Sequence, residues 1–192
     1  LRDWSSDVCS SDLVIKELWP NRFVGFLPFF EDSLFLERYQ VLTAAAPASA
    51  LLVTHQTLYG ATMSGKTVEE GAKLEKWEKA LVGHLHDAHI CQKGKVIYTG
   101  AALQHSFGES SFPKGFLVLH DDWSLTQIQS NFPVYRVIRQ TSDLLEAVDK
   151  VKGLRADYPF DKIRLEITSP LREFTKTGIS EDLLDLGVEL KY

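Results

Sequence analysis

Hydrophobic and polar positions divide the chain into two textures. From residue 22 to about 123, short apolar runs alternate with longer mixed stretches. Arg22–Leu27 (RFVGFL), closed by Pro28, reads as a strand, and Leu51–Thr54 (LLVT) is the continuous apolar run expected of a strand buried on both faces. Between them a helix is predicted from about Ser33 to Ala46, with Glu31 and Asp32 at its N-terminus and Pro47 as its stop. Val68, Leu74 and Trp77 are spaced for a second helix over Val68–Lys79, which Gly71 weakens. Leu81–Val82 run into Gly83-His84-Leu85-His86, and Val96–Tyr98 and Phe116–Leu119 read as further strands. After Asp121-Asp122 the pattern changes. Leu125–Ile128, Val134–Arg139 and Ile163–Ile167 alternate as half-exposed strands, Ser142–Val151 is a helix with Ser142 as N-cap, and a short helix (Glu181–Leu186) and strand (Val188–Lys191) close the chain. The expectation is an α/β layer over 14–123 followed by a small α+β module over 124–192, with no internal repeat.

The opening residues fit neither texture. Residues 1–13 are rich in Ser and Asp without periodicity, and Asp3–Leu13 resemble the translation of a common sequencing-library adapter. They are expected to be a non-native leader on an N-terminally truncated reading frame. Without them the net charge of −5 becomes −3 and Cys91 alone remains of the two cysteines. One cysteine makes no disulfide framework, so a reducing, cytoplasmic setting is expected. No apolar run approaches the roughly 18–20 residues of a membrane-crossing helix, and no membrane partner is expected. A chain that held nucleic acid by its own field would be basic, so a DNA role needs positive charge from another source.

The candidate chemistry lies in histidines at strand ends. His84 and His86 alternate directly after an apolar strand, which points both to one side, and Gly83 permits close backbone approach. His55 follows Leu51–Thr54 in the same way. Ligands of α/β sheets gather outside the carboxyl ends of the strands, and neutral imidazoles suit transition metals. The plainer alternative is three surface histidines.

These residues, in order, resemble a family. Phe26-Leu27-Pro28, Val53-Thr54-His55-Gln56 through Tyr59-Gly60, Gly83-His84-Leu85-His86, and Gly100 through Leu103-Gln104-His105-Ser106-Phe107-Gly108-Glu109 to Lys114-Gly115-Phe116 are similar to the second half of a calcineurin-like metallophosphoesterase. The GHxH and GxxLQHxFGE patterns resemble most its SbcD-type DNA-repair nuclease subunits, phage-encoded ones in particular. The resemblance covers about residues 22–122. It implies the C-terminal part of an αββα sandwich followed by a capping module, and a DNA exo/endonuclease that hydrolyses phosphodiesters with two divalent metal ions, usually Mn. Such ions acidify bound water and stabilise charge on the attacked phosphate. By this resemblance His55 and His84 are ligands of the second metal and His86 of the first. Gln104 and His105 are candidates for contact with substrate. An SbcC-like ATPase subunit and a second copy of the chain are the implied partners. The family's DxH, GDxxD and GNH[DE] motifs, which carry its other ligands and catalytic His, are absent here; Asp87-Ala88-His89 spells DxH but follows GHxH instead of opening the domain. The catalytic residues therefore remain unknown, and the chain as it stands is expected to bind metal weakly and to be inactive.

Other readings compete. A metallophosphoesterase acting on another phosphodiester or phosphomonoester uses the same site. Gly60–Thr67 fits GxxxxGK[ST], the phosphate loop of an ATPase, although five residues separate it from the preceding strand and the mechanism needs a direct strand–loop–helix passage. His84–His89 approaches the HxHxDH zinc motif with its Asp one place early. A non-enzymatic binding module, with incidental histidines, is the remaining class. His120, at the end of an apolar strand, reads as structural.

Overall fold

A computed structural model describes residues 13–63, 65–109, 114–139, 144–168 and 179–191. Of the expected leader over 1–13, residues up to 12, with Cys9, lie outside the described residues, as does the predicted cap Ser142. Two compact units are formed, one by residues up to Ala101 with Gly115–Ile128, the other by Ala102–Lys114 with the residues from Gln129 onward.

In the first unit, Val14–Trp19 (β1) folds back antiparallel on Arg22–Leu27 (β2). Asn21 takes the left-handed conformation of this turn (φ 61°), which asparagine tolerates, and its N–H donates to Glu17 Oε1 at 2.7 Å. Asp32–Ala45 forms helix α1, its first turn held by the Glu31 carbonyl, which accepts from Leu34 and Phe35 N–H. Phe35, Tyr39 and Leu42, at helical spacing, are its buried stripe. Leu51–Thr54 (β3) lies parallel to β2. Next come a two-stranded hairpin, Thr62–Met63 (β4) with Lys66–Thr67 (β5), then Lys79–Val82 (β6), His89–Cys91 (β7) and Val96–Tyr98 (β8). The sheet order is β1-β2-β3-β6-β8-β7, parallel through β2, β3, β6 and β8 with an antiparallel strand at each edge. Gly115–Leu119 (β9) and Leu125–Gln129 (β10) make a separate ribbon, tied by His120 Nε2 to Thr126 Oγ1 at 2.8 Å.

Strand alternation gives this sheet two apolar faces. Leu27, Leu52, Ala80, Val82, Val96 and Tyr98 pack with α1 and with Leu58, Leu74 and Trp77 from the connection after β3. Val24 and Leu51 point the other way, against the buried Trp123.

The helix expected over Val68–Lys79 does not form. Gly71 sits at φ +101°, and the backbone groups of this stretch are satisfied elsewhere. Val68 N–H donates to Ala61, Tyr59 N–H to Ala72 and Gly60 N–H to Val68. The Gln92 side chain accepts from Leu74 N–H and donates to the Ala72 and Tyr59 carbonyls. The apolar spacing reported burial of Leu74 and Trp77 without reporting helix. The same local structure removes the phosphate loop. Gly65 and Lys66 lie on the β4–β5 hairpin and no helix begins after them, so no N-terminus is presented to a phosphate.

The second unit contains Tyr135–Arg139 (β11), helix α2 (Leu144–Asp157), Lys162–Glu166 (β12), helix α3 (Ile179–Asp185) and Val188–Lys191 (β13). The three strands are parallel in the order β11-β12-β13. This alternation is α/β in character, a difference from the α+β expectation, because parallel neighbours need crossovers and the helices supply them. Ile138, Val151, Ile163, Leu165 and Leu183 form its core. Among the described residues no helix is long and apolar enough to cross a membrane.

Candidate functional site

Parallel pairing brings the ends of three strands together. Leu27 on β2 pairs with Thr54 on β3, and Thr54 with Val82 on β6. The residues just beyond these positions, Phe29, His55 and Gly83-His84, therefore emerge side by side. Gly83 N–H donates to the Thr54 carbonyl at 2.9 Å, which extends the β3–β6 ladder to the histidines. The rings of His55 and His84 stand with centroids 5.3 Å apart, nearly perpendicular at 76°. Phe29 stacks on His84 at 6.0 Å and meets His55 edge-on at 6.4 Å.

Backbone detail sets this arrangement. A Cβ on residue 83 would lie 2.7 Å from His55 Nδ1, so the imidazole occupies the space that glycine leaves. His84 has φ +80°, in the left-handed region a histidine rarely adopts. On either side of the exposed His55, Thr54 and Gln56 are buried. Gln56 Nε2 donates to Asp32 Oδ1 at 2.8 Å, and the Gln56 carbonyl accepts from Tyr98 OH, which itself accepts from Leu58 N–H at 2.8 Å. Burial pushes the Tyr98 phenol up to about 12, so it serves as a neutral clamp.

The His55 pKa is held below the ordinary imidazole value, first by desolvation and then by the charges of His84 and His86. His55 is therefore a neutral imidazole at pH 7, the form that ligates metals. An ion held by two imidazole nitrogens at about 2.1 Å sets the ring centres about 5 Å apart, which the His55–His84 separation fits. Among the described residues no three His, Cys, Asp or Glu side chains are grouped to hold an ion. His86 shares the turn and acts on His55 through charge without completing a set of three.

The chain matches no family model. It is similar to 078R of Invertebrate iridescent virus 3, named as a phosphoesterase, with 24% identity over 202 residues covering 100% of this chain and 56% of that protein. It is also similar to 244L of Invertebrate iridescent virus 6, again named as a phosphoesterase, with 27% identity over 124 residues, 62% of this chain and 42% of the relative. The chain thus spans about half the length of the curated relatives it matches.

Gln104 and His105 belong to the second unit. Gln104 is buried, its Oε1 accepting from Tyr135 N–H and its Nε2 donating to the Glu109 carbonyl. Glu109 is paired at 2.9 Å with the buried Lys114. His105 is exposed. His89 is engaged by backbone: Thr62 N–H donates to Nε2, which leaves Nδ1 to donate to the Asp87 carbonyl, and the ring stacks on Tyr98 at 4.5 Å. That use takes it out of an HxHxDH-type set. Phe29 and Tyr98 escaped sequence reasoning, since an aromatic after a proline and one closing a short strand have no distinguishing pattern; only the strand-end register could have pointed to Phe29.

Gly83→Ala is expected to displace the His55 ring and abolish the His55–His84 ring-to-ring NOE. It should change the unfolding free energy from urea titration by less than about 1 kcal/mol, because the exposed imidazole can swing into solvent.

Proposed function

We propose that the protein is a metal-dependent phosphodiesterase of the SbcD type that cuts DNA, and that this chain carries the C-terminal part of its αββα sandwich (14–123) with a capping module (124–192). The observation that carries this reading is the pair of imidazoles, His55 and His84, at the carboxyl ends of adjacent parallel strands. Both relatives are named for phosphoester chemistry, which supports the reaction class; DNA as substrate rests on the GHxH and GxxLQHxFGE resemblance. In that reading two divalent ions, manganese by preference, supply positive charge at the attacked phosphate and acidify water. His55 and His84 hold one of them, and His86 is a ligand of the other. The remaining donors, the catalytic acid–base group, an SbcC-like ATPase subunit and a second copy of the chain complete the working assembly. The ions also offset the acidic balance of the chain against DNA.

Mn²⁺ titrated into the chain is expected to broaden the His55 and His84 imidazole NMR signals before all others, with weak affinity because two donors alone hold the ion. The His55→Ala/His84→Ala double variant should lose the effect. Broadening that begins elsewhere, or survives in the double variant, overturns the metal site. The intact gene product should hydrolyse duplex DNA in Mn²⁺ and lose at least about a hundredfold in rate with either histidine replaced. Hydrolysis of phosphomonoesters alone would overturn DNA in favour of the second reading, a metallophosphoesterase of small substrates.

A further inference from the structure

Phe29 is half exposed (51%), yet it is held firmly. Leu27, 1% exposed, anchors the end of β2 before it; Phe30 packs on the first core after it, and Pro28 removes backbone freedom between. Among the described residues it is the aromatic ring that meets both imidazoles, nearly parallel (24°) to His84 and nearly perpendicular (80°) to His55. One side of the phenyl is thus directed at the histidines while much of the ring faces water. A large apolar surface kept exposed on a rigid mount, beside groups suited to a phosphate or its metal, is the construction of a stacking platform. Every nucleobase has a π-face that such a platform accepts irrespective of sequence.

We propose that Phe29 is a specificity-determining residue: it stacks the base of the nucleotide whose phosphate lies at His55 and His84, so the site favours nucleotidyl phosphoesters over phosphoesters of non-aromatic groups. This rests on the phosphoester reading of the histidine pair and adds to it the part of the substrate that the ring selects. The platform offers no hydrogen-bond readout, so it distinguishes base from no base without preferring one base. A tryptophan in its place presents a larger face to the same partner.

The test is NMR titration of the whole chain, in the presence of Mg²⁺, with thymidine 5′-monophosphate and, separately, with deoxyribose 5-phosphate. Expected are NOEs from the thymine H6 and methyl protons to the Phe29 ring. Phe29→Ala should weaken the nucleotide about tenfold and leave the sugar phosphate unchanged, and Phe29→Trp should restore nucleotide affinity. Equal weakening of both ligands by Phe29→Ala overturns the platform and makes Phe29 a cover for the histidines. No effect on either ligand, or no nucleotide binding at millimolar concentration, also overturns it. His55→Ala/His84→Ala separates the two claims. If that variant keeps nucleotide binding that still depends on Phe29, stacking stands and the phosphoester site falls; if it loses both ligands while Phe29→Ala changes neither, the site stands and the platform falls.

Discussion

Alanine at position 25 is expected to destabilise the first unit by about 2 kcal/mol, the usual scale of overpacking a filled core. Gly25 lies on β2 beneath Trp77, and a Cβ there would come within 2.4 Å of Trp77 Cη2 and 2.8 Å of Cζ3, with Leu42 Cδ2 at 3.3 Å. Such approaches demand movement, and neither partner moves cheaply. Trp77 is 1% exposed, and its indole N–H donates to Thr43 Oγ1 at 2.9 Å. Leu42 is fixed on the buried stripe of α1. Trimming the indole should give the new methyl room. Trp77→Phe alone leaves a cavity and costs about 1–3 kcal/mol, but Gly25→Ala/Trp77→Phe together should cost clearly less than the sum of the two, because they share one volume. Urea titration followed by tryptophan fluorescence reads this unit, since Trp19, Trp77 and Trp123 all belong to it. Additive losses would show that Gly25 and Trp77 do not constrain each other.

Gly25 also shows what a sequence discloses and what it withholds. Leu51–Thr54 was legible as a central strand because burial on both faces requires an unbroken apolar run, and the pairing of β3 between β2 and β6 is the cause of that run. The α1 boundaries followed from Glu31, Asp32 and Pro47 to within a residue. Val14–Trp19 was missed: as an edge strand, Lys16 and Glu17 interrupt its apolar pattern, and its pairing is decided by the turn at Asn21. Val68–Lys79 was misread because i, i+3 spacing of Leu74 and Trp77 marks what is buried, and a Gly71 with positive φ plus one well-placed Gln92 can satisfy the backbone without a helix. At the site, the meeting of His55 and His84 followed from adjacent parallel strand ends. The place of His86, two residues past a left-handed His84, does not follow in the same way, because alternation stops where the strand stops at Val82. Gln104, a polar residue inside a family-like motif, is held by backbone groups of its own unit, which a one-dimensional pattern does not display.

His84→Gly should make the chain more stable than wild type by about 1 kcal/mol, while His84→Ala should not. The left-handed conformation at φ +80° costs an L-residue about 1–2 kcal/mol and glycine almost nothing. Part of that gain is returned through the greater freedom of glycine in the unfolded chain, which leaves the smaller net figure. His84 is exposed, so loss of its side chain removes little packing beyond the Phe29 stack, and alanine keeps the strained backbone without that contact. Both variants should abolish Mn²⁺ broadening at His55, so stability and binding are expected to move in opposite directions in the glycine variant. Both should also let the His55 pKa rise toward its ordinary value, with desolvation still holding it below. The sign of the pH effect follows. A folded imidazole that takes up its proton less readily than the unfolded one adds stability above the unfolded pKa near 6.5 and loses it as pH falls through the lowered folded value. The wild-type chain should therefore lose more stability between pH 7 and 5 than His84→Gly does. Equal urea midpoints for the glycine and alanine variants would mean that residue 84 relaxes out of the left-handed region at no cost, and that nothing in the fold holds its imbalance in place. A gap of the expected size would instead identify His84 as a position where local strain is retained because the imbalance is offset by what the imidazole does with His55.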